Sequence, residues 1–221
     1  MTALLPCTPQ ECLIPGAVGQ LEIQMSCPKK SCKLPMTYAV ICHPHPLHGG
    51  TMLNKVVYMI ANAFNQLGVG TVRFNFRGVG KSEGEYDQGR GETEDLCAVV
   101  QWLEEEYMPD ELWLAGFSFG SYVALRAYQR LSTNRLLLVA PPVERFNFNE
   151  LKITDSPILV IQGRQDEIVS PTTVSQWVTT QMPTAQFQWL EQADHFFHGQ
   201  LNELREVIIT AWGDKNNNGE L

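Results

Sequence analysis

Gly116 and Gly120 stand two residues to either side of Ser118, between the apolar run Leu112-Trp113-Leu114-Ala115 and a helical run beginning near Ser121. A chain that passes from a buried strand into a helix so abruptly brings the two backbones almost into contact. Only residues without a Cβ leave room for that approach, and the residue between them is forced into a sharply turned, strained conformation. The same five-residue pattern also arises in exposed turns, but the strand before it and the helix after it favour the constrained reading.

A serine held in such a turn presents its hydroxyl as a nucleophile elbow does. A hydroxyl is a weak nucleophile unless a base takes its proton and a third group holds that base in orientation. The apolar run Pro157-Ile158-Leu159-Val160-Ile161 leads into a loop carrying Asp166, and Phe187-Gln188-Trp189-Leu190 leads into Ala193-Asp194-His195-Phe196-Phe197. Each candidate lies just beyond the carboxyl end of a predicted strand, the edge at which open α/β sheets place their sites. The order Ser118, Asp166, His195 differs from the chymotrypsin and subtilisin orders and is the one the α/β-hydrolase fold uses.

From about Tyr38 to Trp212 the chain resembles the α/β-hydrolase superfamily. The resemblance is carried by Gly116 to Gly120, by the acid loop Gly163-x-x-Asp166-x-x-Val169-x-Pro171, by Asp194-His195-Phe196, and by the turn Arg77-Gly78-Val79-Gly80-Lys81-Ser82. His43-Pro44-His45-Pro46 followed by Gly49-Gly50 is similar to a bacterial subgroup of small members, related in layout to dienelactone hydrolases but with serine as nucleophile. The resemblance implies an oxyanion hole of two backbone NH groups. One comes from the residue after the nucleophile, Phe119, and one from the loop after the third strand. Pro44 and Pro46 have no NH to give, and the family's donor position falls on His45.

The rest of the chain alternates strands and helices. Gln20 to Met25, Tyr38 to Cys42, Thr71 to Phe76 and Leu136 to Ala140 read as further strands, with a turn at Lys29 and Lys30. Val56, Ile60, Ala63 and Leu67 give a helix from about Lys55 that stops at Gly68. Leu96, Val99, Val100 and Leu103 give a second helix, with Glu92, Glu94 and Asp95 near its positive end. Ile208 to Trp212 closes the last one. The fold class is therefore α/β: an α/β-hydrolase fold with a mostly parallel central sheet, helices on both faces and no cap domain. We expect a single domain over 1–221, with 1–16 an N-terminal extension and 214–221 a frayed tail.

A chain of 221 residues that is 44% hydrophobic can bury one sizeable core. Its formal charge of -8, with no dense basic run, disfavours nucleic acid and anionic membrane as partners. Its start, Met1-Thr2-Ala3-Leu4-Leu5-Pro6-Cys7, lacks the features of a signal peptide, and the expected location is cytoplasmic. Cys7 with Cys12 and Cys27 with Cys32 share a four-residue gap, but scattered cysteines in a reducing compartment act as small apolar residues. Cys42 and Cys97 read as core. The expected partner is a small acyl substrate; a homodimer stays open, and no cofactor or metal is called for.

Two rival readings remain. His43-x-His45-x-x-His48 resembles a zinc motif of metallo-β-lactamase-type hydrolases, although Leu47 stands where that motif has aspartate. A non-catalytic binding protein on the same fold is the other. His198 competes with His195 as base but is expected further into a helix. Asp155, Glu167 and Asp194 compete with Asp166. Only Pro141 to Ser156 separates two strands at the point where caps are inserted, so the pocket should be open, bordered by Phe146, Phe148 and Phe196. The expected protein is a serine hydrolase of a carboxylic ester or thioester, with Ser118 as nucleophile, His195 as base and Asp166 as its orienting acid.

Overall fold

The computed structural model describes residues 10–26, 36–151 and 157–213. The expected turn at Lys29 and Lys30, the cysteines Cys7, Cys27 and Cys32, Asp155 and the tail from 214 lie outside the described residues.

Alternation along the apolar runs builds the core. In β3 (Thr37–Cys42), Tyr38, Val40 and Cys42 join one buried cluster, while Ala39 and Ile41 join another. The same split recurs in β5 (Glu111–Phe117), β6 (Arg135–Val139) and β7 (Ile158–Gly163). Successive side chains leave opposite faces of a strand, so a continuous apolar run demands cover on both faces. Helices α2 (Arg90–Tyr107), α3 (Phe119–Tyr128) and α4 (Pro171–Gln181) cover the first face; α1 (Lys55–Gln66) and α5 (Leu201–Trp212) cover the second.

With β1 (Gln10–Pro15), β2 (Gln20–Ser26), β4 (Gly70–Phe74) and β8 (Gln186–Leu190), the strands form one eight-stranded sheet in the order β1-β2-β4-β3-β5-β6-β7-β8. β1 and β2 pair antiparallel, as do β2 and β4; every later pairing is parallel. The carboxyl ends of β3, β5, β7 and β8 therefore open on one edge.

Two expectations are corrected and one helix is new. Residues 10–15 are not part of an extension but an edge strand, paired from Gln10 with Met25 to Pro15 with Gln20; Pro15 is tolerated there because an outer edge needs no ladder donor. Helix α4 was not expected, its Thr, Ser and Gln leaving only Val174, Trp177 and Val178 to bury. His198 lies in a run of turns before α5, not in a helix. Cys42 is buried as expected, whereas Cys97 is only partly so.

Candidate active site

The backbone at Ser118 has φ 52° and ψ −121°, a left-handed conformation that a residue with a side chain rarely adopts. Three interactions hold it there. Ser118 N donates to Val139 O at 2.8 Å, and Ser121 Oγ donates to Gly116 O at 2.8 Å and Val139 O at 3.0 Å. A Cβ at Gly116 would strike the backbone of Gly120, and one at Gly120 would strike the carbonyls of Cys42 and His43. Strand β5, helix α3 and the end of β3 thus pack at backbone distance, which fixes the Ser118 hydroxyl above the sheet edge.

The structure brings the three side chains singled out by the sequence into one chain of hydrogen bonds. His195 Nε2 lies 3.1 Å from Ser118 Oγ, and His195 Nδ1 lies 2.8 Å from Asp166 Oδ2. Asp166 Oδ1 accepts from Ile168 N at 2.9 Å and Val169 N at 2.8 Å, while Oδ2 also accepts from Gln162 Nε2 at 2.9 Å. Burial pushes the Asp166 carboxyl up, but the bond to His195, the charge of its ring and the backbone NH groups of Val169 and Ile168 outweigh it and hold it below the usual range. An ionised Asp166 requires the Nδ1–H tautomer of His195, which leaves the Nε2 lone pair facing the serine hydroxyl. Phe117 and Phe196 flank the imidazole at ring distances of 5.3 and 5.2 Å.

The loop after β3 runs along the other side of Ser118. His43 is fully buried, with Nδ1 2.6 Å from Pro44 O and Nε2 accepting from Phe76 N at 3.1 Å. Burial lowers its pKa to about 4. His45 Nδ1 accepts from Leu47 N at 3.2 Å, and its Nε2 meets Tyr86 OH at 3.1 Å. The backbone NH of His45 has no acceptor among the described residues, and that of Phe119, at the first turn of α3, has none within its helix. Both residues line the cavity with Ser118 and His195. The ring nitrogens of His43 and His45 all have partners, and no group of three His, Cys, Asp or Glu among the described residues is placed to hold a metal ion.

The rival candidates fall elsewhere. His198 Nδ1 pairs with Asp194 Oδ2 at 2.6 Å on the surface, which occupies both residues away from Ser118. Phe146 and Phe196 line the cavity, but Phe148 is core, packed on Tyr122 and Trp177. The turn at Arg77 is fastened by a buried, bidentate pair with Asp95 of α2, Nη2 to Oδ1 being 2.7 Å, and Gly78 and Gly80 take positive φ. Sequence reasoning missed Gln162 and Tyr86, which bond to Asp166 and His45. Neither stands in a motif with a spacing of its own.

A serine at a strained strand-to-helix turn, facing an imidazole backed by a buried carboxylate on a doubly covered parallel sheet, defines a hydrolase-type site of the α/β class. Residues 40–206 match the family model described as Alpha/beta hydrolase domain, so the chain belongs to the α/β-hydrolase family. A relative from Rickettsia prowazekii (strain Madrid E), uncharacterized protein RP471, is 35% identical over 180 residues, covering 77% of this chain and 76% of its own. An α-β serine hydrolase homologue from Coxiella burnetii superposes with a TM-score of 0.88 at 48% identity, over 92% of this chain and 97% of that one. XC6422 from Xanthomonas campestris, a member of the α/β serine hydrolases without lid, gives 0.89 at 39% identity, over 97% and 100%. In this chain residues 140–151, between β6 and β7, form neither helix nor strand. No helix among the described residues is long and apolar enough to cross a membrane.

Proposed function

We propose that the protein is a cap-less serine hydrolase that cleaves a small carboxylic ester or thioester through an acyl-enzyme on Ser118. The observation that carries this reading is the hydrogen-bonded series from Ser118 Oγ through His195 to Asp166, the first two of which line a cavity of about 630 Å³. Sites for small molecules span roughly 300–1,000 Å³.

Ser118 Oγ attacks the acyl carbon while His195 Nε2 takes its proton. Asp166 keeps the proton on Nδ1 and stabilises the imidazolium that forms. The oxyanion of the tetrahedral intermediate sits between the NH groups of His45 and Phe119. Its collapse breaks the bond to the alcohol or thiol, which leaves with the proton from His195. Water then attacks the acyl-enzyme with His195 again as base, releasing the acid and restoring the serine.

Turnover of p-nitrophenyl esters of increasing acyl length, below micelle formation, tests this. Short and medium chains should be hydrolysed, and the gain per added methylene should stay below ~0.8 kcal/mol because the open cavity buries each one only in part. Ser118→Ala should reduce turnover to the buffer rate. Turnover that survives in that variant would remove Ser118 from the reaction.

A further inference from the structure

The chain carries 24 Asp and Glu against 16 Lys and Arg, yet among the described residues no acidic one lines the cavity in front of Ser118. Beyond Ser118 and His195, the side chains there that can offer hydrogen bonds include Arg145, His48 and Asn54. Asn54 has its oxygen occupied by Val56 N at 2.9 Å, so the group it has to offer is its NH₂. A cavity on an acidic protein that is lined by donors and a guanidinium attracts a negatively charged ligand.

Arg145 is the permanent charge among them. It stands on the turns after β6, and its Nη2 donates to Ile168 O, at 3.0 Å, on the loop after β7. That bond joins two loops that line the cavity, and among the described residues the other NH groups of the guanidinium are left over. Arg145 makes no ion pair with a described carboxylate. The neighbouring Glu144 turns instead to Thr173 Oγ1 at 2.6 Å, and both oxygens of Asp166 are taken behind His195. The field of Arg145 reaches the oxyanion loop: burial first, then His48 and Arg145, lower the pKa of His45.

We infer that Arg145 is a specificity-determining residue, and that the enzyme acts on acyl compounds that carry a carboxylate within reach of its guanidinium. The inference rests on the serine hydrolase reading and names the substrate class of that same site. A planar guanidinium, held by one backbone acceptor and open on its other donors, matches a carboxylate in a two-pronged pair.

The test compares kcat/KM for matched pairs at low ionic strength. One arm places the charge on the acyl side, phenyl hydrogen adipate against its methyl ester. The other places it on the leaving group, 4-carboxyphenyl butanoate against 4-(methoxycarbonyl)phenyl butanoate. In at least one arm the carboxylate should be preferred about tenfold or more, the size of one charge-assisted hydrogen bond. The preference should shrink in high salt, fall at least tenfold in Arg145→Gln, and fall less in Arg145→Lys, which keeps the charge and loses the fork. Melting curves of both variants verify that they are folded. Hydrolysis of the neutral esters without a preference for charge in either arm would overturn the inference and leave the hydrolase reading standing. A preference that persists in Arg145→Gln would also overturn it, by placing the anion elsewhere. No turnover of any ester, with Ser118 unreactive, would overturn the hydrolase reading and this inference together.

Discussion

Gln162 Nε2 donates to Asp166 Oδ2 at 2.9 Å, on the same oxygen that faces His195 Nδ1. The glutamine is fully buried at the end of β7, and its own Oε1 has no partner among the described residues. A buried amide oxygen without a partner is costly, so Gln162 adds little net stability. Gln162→Leu should therefore change the melting temperature little while lowering kcat by about tenfold, since Asp166 loses one of the donors that aim it. A large fall in melting temperature with normal turnover in the folded fraction would show that Gln162 serves packing alone.

Asp166 and Asp194 make a sharper contrast. Asp166→Asn keeps the shape but favours the wrong imidazole tautomer, a change that costs ~10⁴ in kcat in the serine-protease template. Asp194→Asn disturbs only the exposed pair with His198 and should cost less than about threefold, within the reach of surface ion pairs. Steady-state kinetics of the two variants decide the matter. Asp194→Asn being the more damaging would reassign the acid.

His43 gives a pH signature in stability. Its folded pKa is about 4 against an ordinary 6.5, because burial penalises the charged ring. Between those values the unfolded chain binds a proton that the folded chain does not. Its contribution is therefore present above pH 6.5 and is lost as pH falls towards 4, a loss on the order of 3 kcal/mol. His45, lowered in the same direction, adds to it, whereas Asp166 acts only below its ordinary 3.8. Denaturant midpoints from pH 7 to pH 4 should fall more steeply in wild type than in His43→Gln. Parallel slopes would mean that His43 takes up its proton without unfolding.

The occupied ring nitrogens of His43 and His45 bear on the zinc reading. Prolonged chelation should leave esterase turnover unchanged, and added zinc should not raise it. Activity lost to the chelator and restored by zinc would make the histidine loop a metal site after all.

What the sequence made legible follows from how locally each feature is encoded. β3, β5, β6 and β7 are buried on both faces and read as apolar runs, and Ser118, Asp166 and His195 each stand in a short motif at a strand's end. Residues 10–15 show no such run. Only Cys12 and Ile14 turn inward while Leu13 is exposed, and the strand exists through its pairing with β2. Gln162, Tyr86 and Arg145 act through partners far along the chain, Asp166 excepted, and their residue types carry no spacing that announces a role. Phe148, expected at the cavity, differs for a related reason: an aromatic residue on a loop looks the same whether it turns to the cavity or, as here, to Trp177.

The central claim is that Ser118 is an activated nucleophile, and reaction with a fluorophosphonate probe measures that most directly. The account predicts covalent labelling of the folded wild-type protein at Ser118, mapped by peptide mass, and no labelling of a folded Ser118→Ala variant. Folded wild type that stays unlabelled, or label that persists in the variant, would contradict it.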